Sequence, residues 1–172
     1  MNGRLGVILL LAFSATCCHA QATPVDISRS QLQAVIGLPL SQAVTRRETF
    51  KEPLRSAYQR QISRIDKDCQ DESQQGQQGY NICMGHAEQQ ADSDFALFYN
   101  NLQMLCHDQD QLTTLQASEK AWRLYRESVA KATHAAWAEG SGAPGFASQV
   151  QLSLVRDRMG ELHEIYGLNI AQ

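Results

Sequence analysis

The chain has 172 residues, of which 43% are hydrophobic and 19% charged, with 11 glycines and 4 prolines. This length predicts one small domain, and the composition excludes the collagen-like and intrinsically disordered classes. The formal net charge of -3 provides no basic field for a nucleic-acid backbone, so nucleic-acid binding is excluded as well.

The first twenty residues have the pattern of a secretory signal peptide, residues 1–20. One positive charge, at Arg4, precedes an uncharged apolar run of twelve residues, which is too short to span a bilayer. Cys18 and Ala20 place small residues at the -3 and -1 positions, so cleavage is expected before Gln21. Cleavage removes one basic residue, which gives the mature chain a formal charge of -4. We therefore expect a periplasmic or secreted protein with no transmembrane segment.

A lipid anchor is the alternative fate of this N-terminus. Cys17 and Cys18 lie where a lipoprotein carries its acylated cysteine, but neither is preceded by the usual Leu at -3 and Gly or Ala at -1. The lipid anchor is therefore disfavoured. The mature chain keeps Cys69, Cys83 and Cys106.

Residues 21–52 form a polar lead-in segment. One apolar cluster within it predicts a short helix capped at Ser30 and ended by Gly37 and Pro39, without a clear assignment to the core.

Residues 53–172 are expected to form the helical domain, and Pro53 to open its first helix, because proline is favoured in a first helical turn. Apolar residues recur at a spacing of three to four, and no segment alternates convincingly with period two. These patterns predict an all-α bundle of about four helices. The expected helices cover residues 53–69, 80–106, 110–138 and 146–166.

The cysteines predict a disulfide that staples a helical hairpin. Cys69 and Cys83 flank the glutamine-rich turn between the first two expected helices, and an oxidising compartment disfavours two free thiols. Cys106 is then unpaired, and its position on an apolar face predicts a small buried hydrophobe. A disulfide-linked dimer and exchange with the first pair are the alternatives.

A zinc site built from Cys83, His86, Cys106 and His107 is disfavoured. Adjacent helical residues point about 100° apart, and export favours disulfides over thiolates. We expect no metal and no cofactor.

The sequence also lacks the patterns of common catalytic sites. It contains no G-x-S-x-G, no H-E-x-x-H and no glycine-rich phosphate loop. Cys106 and His107 cannot face one another as a nucleophile and its base. Glu127 and Glu161 are typical of solvated helix surfaces rather than of a carboxylate pair. We expect no catalytic residues and no enzyme.

The segment LQASEKAWRLYRE at residues 115–127 resembles the L-x-x-x-Q-x-x-W-x-x-Y-R-D signature of the LprI-like lysozyme inhibitor family. Trp122, Tyr125 and Arg126 carry this match. The upstream and downstream matches are Cys69, Cys83-Met84, Ala91-Asp92, Tyr99, the Gly140-Ser-Gly loop, and the closing Arg156-x-Arg158-x-x-Glu161-Leu162 helix. The resemblance covers about residues 66–166 and implies a small exported helical inhibitor.

The chain departs from the family pattern in three ways. No cysteine is present where members commonly carry a second disulfide, Glu127 replaces the Asp of the signature, and Glu119 or Lys120 replaces its Gln. The resemblance therefore indicates a divergent member.

We expect structural roles for Trp122, Arg126 and Arg158. Trp122 is expected to be the central core aromatic. Arg126 and Arg158 are expected to pair with Glu161 or Glu127 between the third and fourth helices.

The glycine-rich loop before the last helix is the candidate target-binding element, because an inhibitor needs a small loop to enter an enzyme cleft. An ordinary connector is the alternative interpretation. The candidate residues are Glu139, Gly140, Ser141, Gly142 and Phe146.

The function predicted from these observations is binding of another protein, first of all a lysozyme or related muramidase. An immunity or adaptor protein that binds another exported toxin is the same-fold alternative. A thiol-redox or metal-binding protein that uses Cys106 with His86 and His107 is the remaining alternative.

Overall fold

The computed structural model describes residues 23–63, 69, 76–138 and 140–166. Within these ranges the chain forms five α-helices and no strand, so the all-α prediction is confirmed. The helices are α1 (Arg29–Ile36), α2 (Leu40–Ser63), α3 (Gly76–Gln103), α4 (Gln109–Ala136) and α5 (Ala143–Ile165). The expected signal peptide lies outside the described residues. Among the helices described, none is long and apolar enough to cross a membrane.

The short helix α1 contributes to the core, which the sequence pattern alone did not assign. Ser28, and not Ser30, caps it through a capping box with Gln31, and Gly37 ends it. Leu32 and Val35 are 0% and 1% exposed. The lead-in segment therefore supplies buried side chains.

The helix expected to open at Pro53 begins at Leu40 and runs through the proline. Pro53 removes one backbone donor, but ion pairs one turn apart link Glu48 to Lys51 and Glu52 to Arg55 on either side of it. Helix α2 thus crosses residue 52, the expected end of the lead-in.

Helix α3 is central because both α2 and α5 pack along it. Its predicted apolar stripe faces the core, where Ala91, Phe95, Phe98 and Leu102 are fully or almost fully buried. The other fully buried hydrophobic side chains are Tyr99 of α3 and residues from all the remaining helices: Leu32, Leu54, Ala57, Leu112, Leu115, Val155 and Met159.

Two cross-links reach α3, one from α2 and one from Cys69. The predicted disulfide Cys69–Cys83 is present, with its Cα atoms 5.8 Å apart. Asp94, which is 2% exposed, accepts hydrogen bonds from Arg60 Nε and Nη2 at 2.9 and 2.6 Å and another from the amide of Gln61. The Asp94 contacts join α2 directly to α3, and the disulfide joins α3 to Cys69, which lies beyond the end of α2.

Cys106 is free and buried, as predicted. Burial raises the pKa of its thiol to about 11, so the thiolate form is disfavoured at neutral pH. Cys83 is committed to the disulfide, which removes it from the alternative zinc set. No group of three potential metal ligands is found in the part of the chain that the structure describes.

Helix α4 is covered over only part of its length. Leu112 and Leu115 are buried, whereas Tyr125, which continues the same spacing of apolar residues along the helix, is 56% exposed. The neighbouring Leu124 is 62% exposed. The expected apolar face thus reaches solvent towards the C-terminal end of α4.

Candidate functional site

The connection between α4 and α5 is short and is tied to α3. Helix α5 begins at Ala143 rather than at the expected residue 146, with a proline in its first turn. Asn81 Nδ2 donates to the carbonyl of Ser141 at 2.8 Å, and Asn81 Oδ1 accepts from the amide of Gly145 at 3.1 Å. A Cβ atom at Gly145 would lie 2.6 Å from Asn81 Oδ1, so this close approach requires glycine.

Two aromatic side chains border this connection. The rings of Trp137 and Phe146 stack with centroids 4.6 Å apart, yet the residues remain 47% and 39% exposed. Gly140 and Ser141 are also exposed, and Gly142 is half-buried. Glu139 lies outside the described residues. We call Trp137, residues 140–142 and Phe146 the loop surface.

A second feature is a cavity of about 340 Å³ between α3, α4 and α5, bordered by the segment that precedes α1. Family-signature residues from α4 converge here with carboxylates from α3. The lining residues are Thr23, Pro24, Glu88, Asp92, Phe95, Glu119, Trp122, Arg123, Arg126, Glu127, Ala130 and Gln151. We call this cavity the Trp122 pocket.

Trp122 is not the central core aromatic that the sequence predicted. It is only partly buried and packs at the edge of the core, with its ring 5.0 Å from that of Phe95 and the Arg126 guanidinium 5.6 Å from its centroid. The aromatic residues at the centre are Phe98 and Tyr99, which are both 0% exposed. Trp122 is therefore a wall of the pocket.

Arg126 contacts residues of α3 and α5, so the expectation that it pairs with Glu161 or Glu127 is wrong. Its Nη1 lies 2.6 Å from Asp92, its Nη2 lies 3.7 Å from Glu88, and its Nε donates to Gln151 Oε1 at 2.8 Å. Glu127, the next residue on α4, pairs with a lysine on its own helix. Adjacent helical residues point about 100° apart, which separates these two partners.

Arg158 pairs with Glu161 at 2.9 Å, as one of the expected pairs, but both residues belong to α5. Its link to α4 runs through Ser118 Oγ, to which Nη2 donates at 2.6 Å, and through Glu119, whose Oε2 is 3.6 Å from Nε. Glu119 also accepts from Arg123 Nε at 3.0 Å and is 1% exposed. Sequence reasoning gave Glu119 no role.

The electrostatics of the pocket follow from burial. Removal from water raises the pKa of both Glu88 and Glu119, and the neighbouring arginines oppose this effect without cancelling it. Both carboxyl groups therefore hold their protons to higher pH than an exposed glutamate.

This shift predicts how stability depends on pH. The folded protein binds the Glu119 proton more tightly than the unfolded chain, so this group's contribution to stability is fully present below its usual pKa of 4.5 and falls as pH rises through the raised pKa. We expect the difference in unfolding free energy between wild type and Glu119→Gln, measured by urea denaturation, to decrease with rising pH over this window. Glu127→Gln is the matched control on the same helix. Its pKa is lowered by Lys131, so its smaller dependence should have the opposite sign. A pH-independent difference for Glu119→Gln would contradict the prediction.

The segment before α1 is fastened to α3 and α4 by side-chain amides. Gln103 is 0% exposed; its Oε1 accepts from the Ile27 amide at 2.9 Å, and its Nε2 donates to the Val25 carbonyl at 2.7 Å. Gln116 donates to the Ile27 carbonyl at 2.9 Å, and the Tyr99 hydroxyl donates to Asp26 at 2.9 Å. These contacts place the start of the described chain at the rim of the Trp122 pocket.

No local pattern marked Gln103 or Gln116, because ordinary surface glutamines have the same sequence context.

Comparison with known proteins identifies a family. The family model described as "Lysozyme inhibitor LprI" matches residues 69–162, which begins at the first disulfide cysteine and covers more than half of the chain. No curated protein and no solved structure gives a significant match. The match includes Trp122, Arg126 and Gln151 of the pocket and the whole loop surface. The chain therefore belongs to the LprI lysozyme inhibitor family.

Proposed function

We propose that this protein is exported to the periplasm or the exterior, where it binds a lysozyme or related muramidase and inhibits it. The observation that carries the proposal is membership of a family of lysozyme inhibitors, through a match that contains the loop surface and every lining residue of the pocket except Thr23 and Pro24. An inhibitor acts by binding, so the proposal requires no catalytic residue. Cleavage of residues 1–20 to leave Gln21 as the first residue, without a lipid, stays a prediction.

The loop surface is the proposed contact with the enzyme. Trp137 and Phe146 form a stacked, partly exposed aromatic pair, and aromatic anchors of this kind dominate the energy of most protein interfaces. The two hydrogen bonds from Asn81 hold the backbone of the loop, which lowers the entropy lost on binding. Ser141 is exposed beside them and is small enough to enter a cleft.

Net charge supports the encounter. Lysozymes are basic proteins with a carboxylate-lined cleft, and the mature chain is acidic at a formal charge of -4. Opposite charges accelerate association and are screened by salt. Inhibition should therefore be stoichiometric and reversible, and it should weaken as ionic strength rises.

We expect Ser141→Arg and Trp137→Ala to reduce the affinity for lysozyme by about tenfold or more, since they alter the centre of the proposed contact. Both residues are exposed, so melting temperatures should change little. Ser153→Arg is the matched control: it adds the same charge at an exposed position of α5, about 15 Å along the helix from its first residue. The measurement is lysozyme turnover of cell-wall substrate at increasing concentrations of each purified mature variant. Deleting residues 140–145 would be a poor test, because Gly145 is buried against α3.

The outcomes distinguish a wrong contact surface from a wrong target enzyme. If wild type inhibits and the two loop variants inhibit equally well, the contact lies elsewhere on the protein. If wild type shows no inhibition at a micromolar excess, lysozyme is not the target, and an immunity or adaptor role towards another exported protein becomes the leading hypothesis.

A further inference from the structure

One side of α4 is exposed although it carries apolar side chains. Leu124, near the middle of the helix, is 62% exposed, and Ala117, Lys120 and Glu127 are exposed as well. These four residues are spaced by three or four, so they lie on one side of the helix. Helix α5 packs against α4 without covering them. We call these four residues the α4 face.

A groove of about 560 Å³ runs beside the α4 face, between the helix and Asp26 of the segment before α1. Its charged lining residues are two cations, Lys120 and Arg123, and two carboxylates, Asp26 and Glu127. Because the two signs are equal in number, the groove has no net negative charge to attract a basic enzyme. A surface of balanced charge is suited instead to a copy of itself, since a two-fold interface joins the same patch from both subunits.

The spacing of two charges on the α4 face is self-complementary. Lys120 and Glu127 are seven residues apart, which places them on the same side of the helix and about 10.5 Å apart along its axis. In an antiparallel pair of α4 helices with a two-fold axis midway between residues 123 and 124, Lys120 lies opposite Glu127 of the partner subunit. The symmetry forms the reverse pair as well. Leu124 is within one residue of this axis, so it packs against Leu124 of the partner subunit.

Both charges are available for these pairs. Lys120 has no ion-pair partner among the described residues. Glu127 pairs with Lys131 at 2.6 Å, but the two side chains are 61% and 74% exposed, so solvent weakens this pair. A carboxylate has two oxygens and can accept from a second cation.

We propose that the α4 face is an interface between two copies of this chain, packed antiparallel through Leu124 and two reciprocal Lys120–Glu127 ion pairs. Burial of Leu124 on both subunits removes apolar surface from water, and the ion pairs fix the register. Interfaces that bury less than about 1,200 Å² are weak, so an interface built on one helix face predicts a dimer in exchange with the monomer. This inference does not depend on lysozyme inhibition, and each can fail without the other.

Sedimentation velocity of the mature protein at increasing concentration measures the association. We expect wild type to shift from monomer to dimer as its concentration rises, with a midpoint that moves upward when salt is added. Leu124→Gln and Lys120→Glu should each raise the midpoint about tenfold or more, since the two-fold axis repeats each change in both subunits. Lys51→Glu is the matched control: it makes the same charge reversal at an exposed position of α2 and should dimerise as wild type does.

A mixture of two charge-reversed variants tests the pairing itself. Lys120→Glu alone and Glu127→Lys alone should both remain monomeric where wild type dimerises, because each places like charges opposite one another. An equimolar mixture should recover the dimer, because every reversed charge then meets its opposite on the other variant. Recovery also shows that neither variant failed to fold.

Three results would overturn the proposal. The first is a wild type that stays monomeric up to about 1 mM, which excludes even a weak dimer. The second is a dimer that Leu124→Gln and Lys120→Glu leave unchanged, and the third is a mixture that stays monomeric. A monomeric wild type whose inhibition of lysozyme is lost in Leu124→Gln would assign the α4 face to the enzyme instead.

Discussion

Phe98→Ala is expected to lower the free energy of unfolding by about 3–5 kcal/mol, because it removes a fully buried ring from the centre of the core. Phe98 lies on α3, the helix on which both α2 and α5 pack, and its ring is 6.2 Å from that of Tyr58 on α2. The space left behind is closed on all sides and cannot fill with water at low cost. Urea unfolding followed by circular dichroism measures the effect.

Trp122→Ala provides the comparison that distinguishes core from pocket. Its side chain is larger than that of Phe98, but it lines an open cavity, so we expect a smaller loss, about 1–3 kcal/mol. A loss for Trp122→Ala equal to or greater than that for Phe98→Ala would mean that Trp122 belongs to the core after all.

Replacement of both Cys69 and Cys83 by serine should lower stability by roughly 2–4 kcal/mol. The disulfide closes a loop of sequence separation 14 and so restricts the unfolded chain. The helical signal should persist, because the Asp94 contacts and the apolar stripe still hold α2 against α3.

The control for this prediction is Cys106→Ala, which leaves the disulfide intact. Non-reducing peptide mapping of wild type should recover a Cys69–Cys83 linked peptide and an unlinked Cys106 peptide. Complete loss of helicity in the double variant would show that the core is weaker than its burial suggests.

The shortest-range features of this protein could be read from its sequence. The disulfide joins two residues with a sequence separation of 14, and the stripe from Ala91 to Leu102 repeats every three to four residues. Both features depend on spacing along one or two neighbouring elements. Spacing also located the breaker between α4 and α5, although the helix begins three residues earlier than expected.

The predictions that were wrong share one cause: local sequence does not show which distant segment packs against a residue. A proline is compatible with a helix start or, at the loss of one hydrogen bond, with a helix interior, and local sequence does not decide between them at Pro53. Likewise, a glutamine such as Gln103 looks like a surface residue until a distant segment of backbone lies across it.

The sequence by itself determined the helical class, the stapled hairpin and the faces of α3 and α5, because helical periodicity and loop closure are local properties. Only the tertiary structure decided that Trp122 borders a pocket, that Arg126 pairs with Asp92, and that Glu119 is buried beside Arg123 and Arg158. Periodicity tells which residues share one face of a helix, but it does not tell how much of that face a neighbouring helix covers. Helix α4 is covered at Leu112 and Leu115 and exposed at Tyr125. Between them lies Trp122, which is only partly buried.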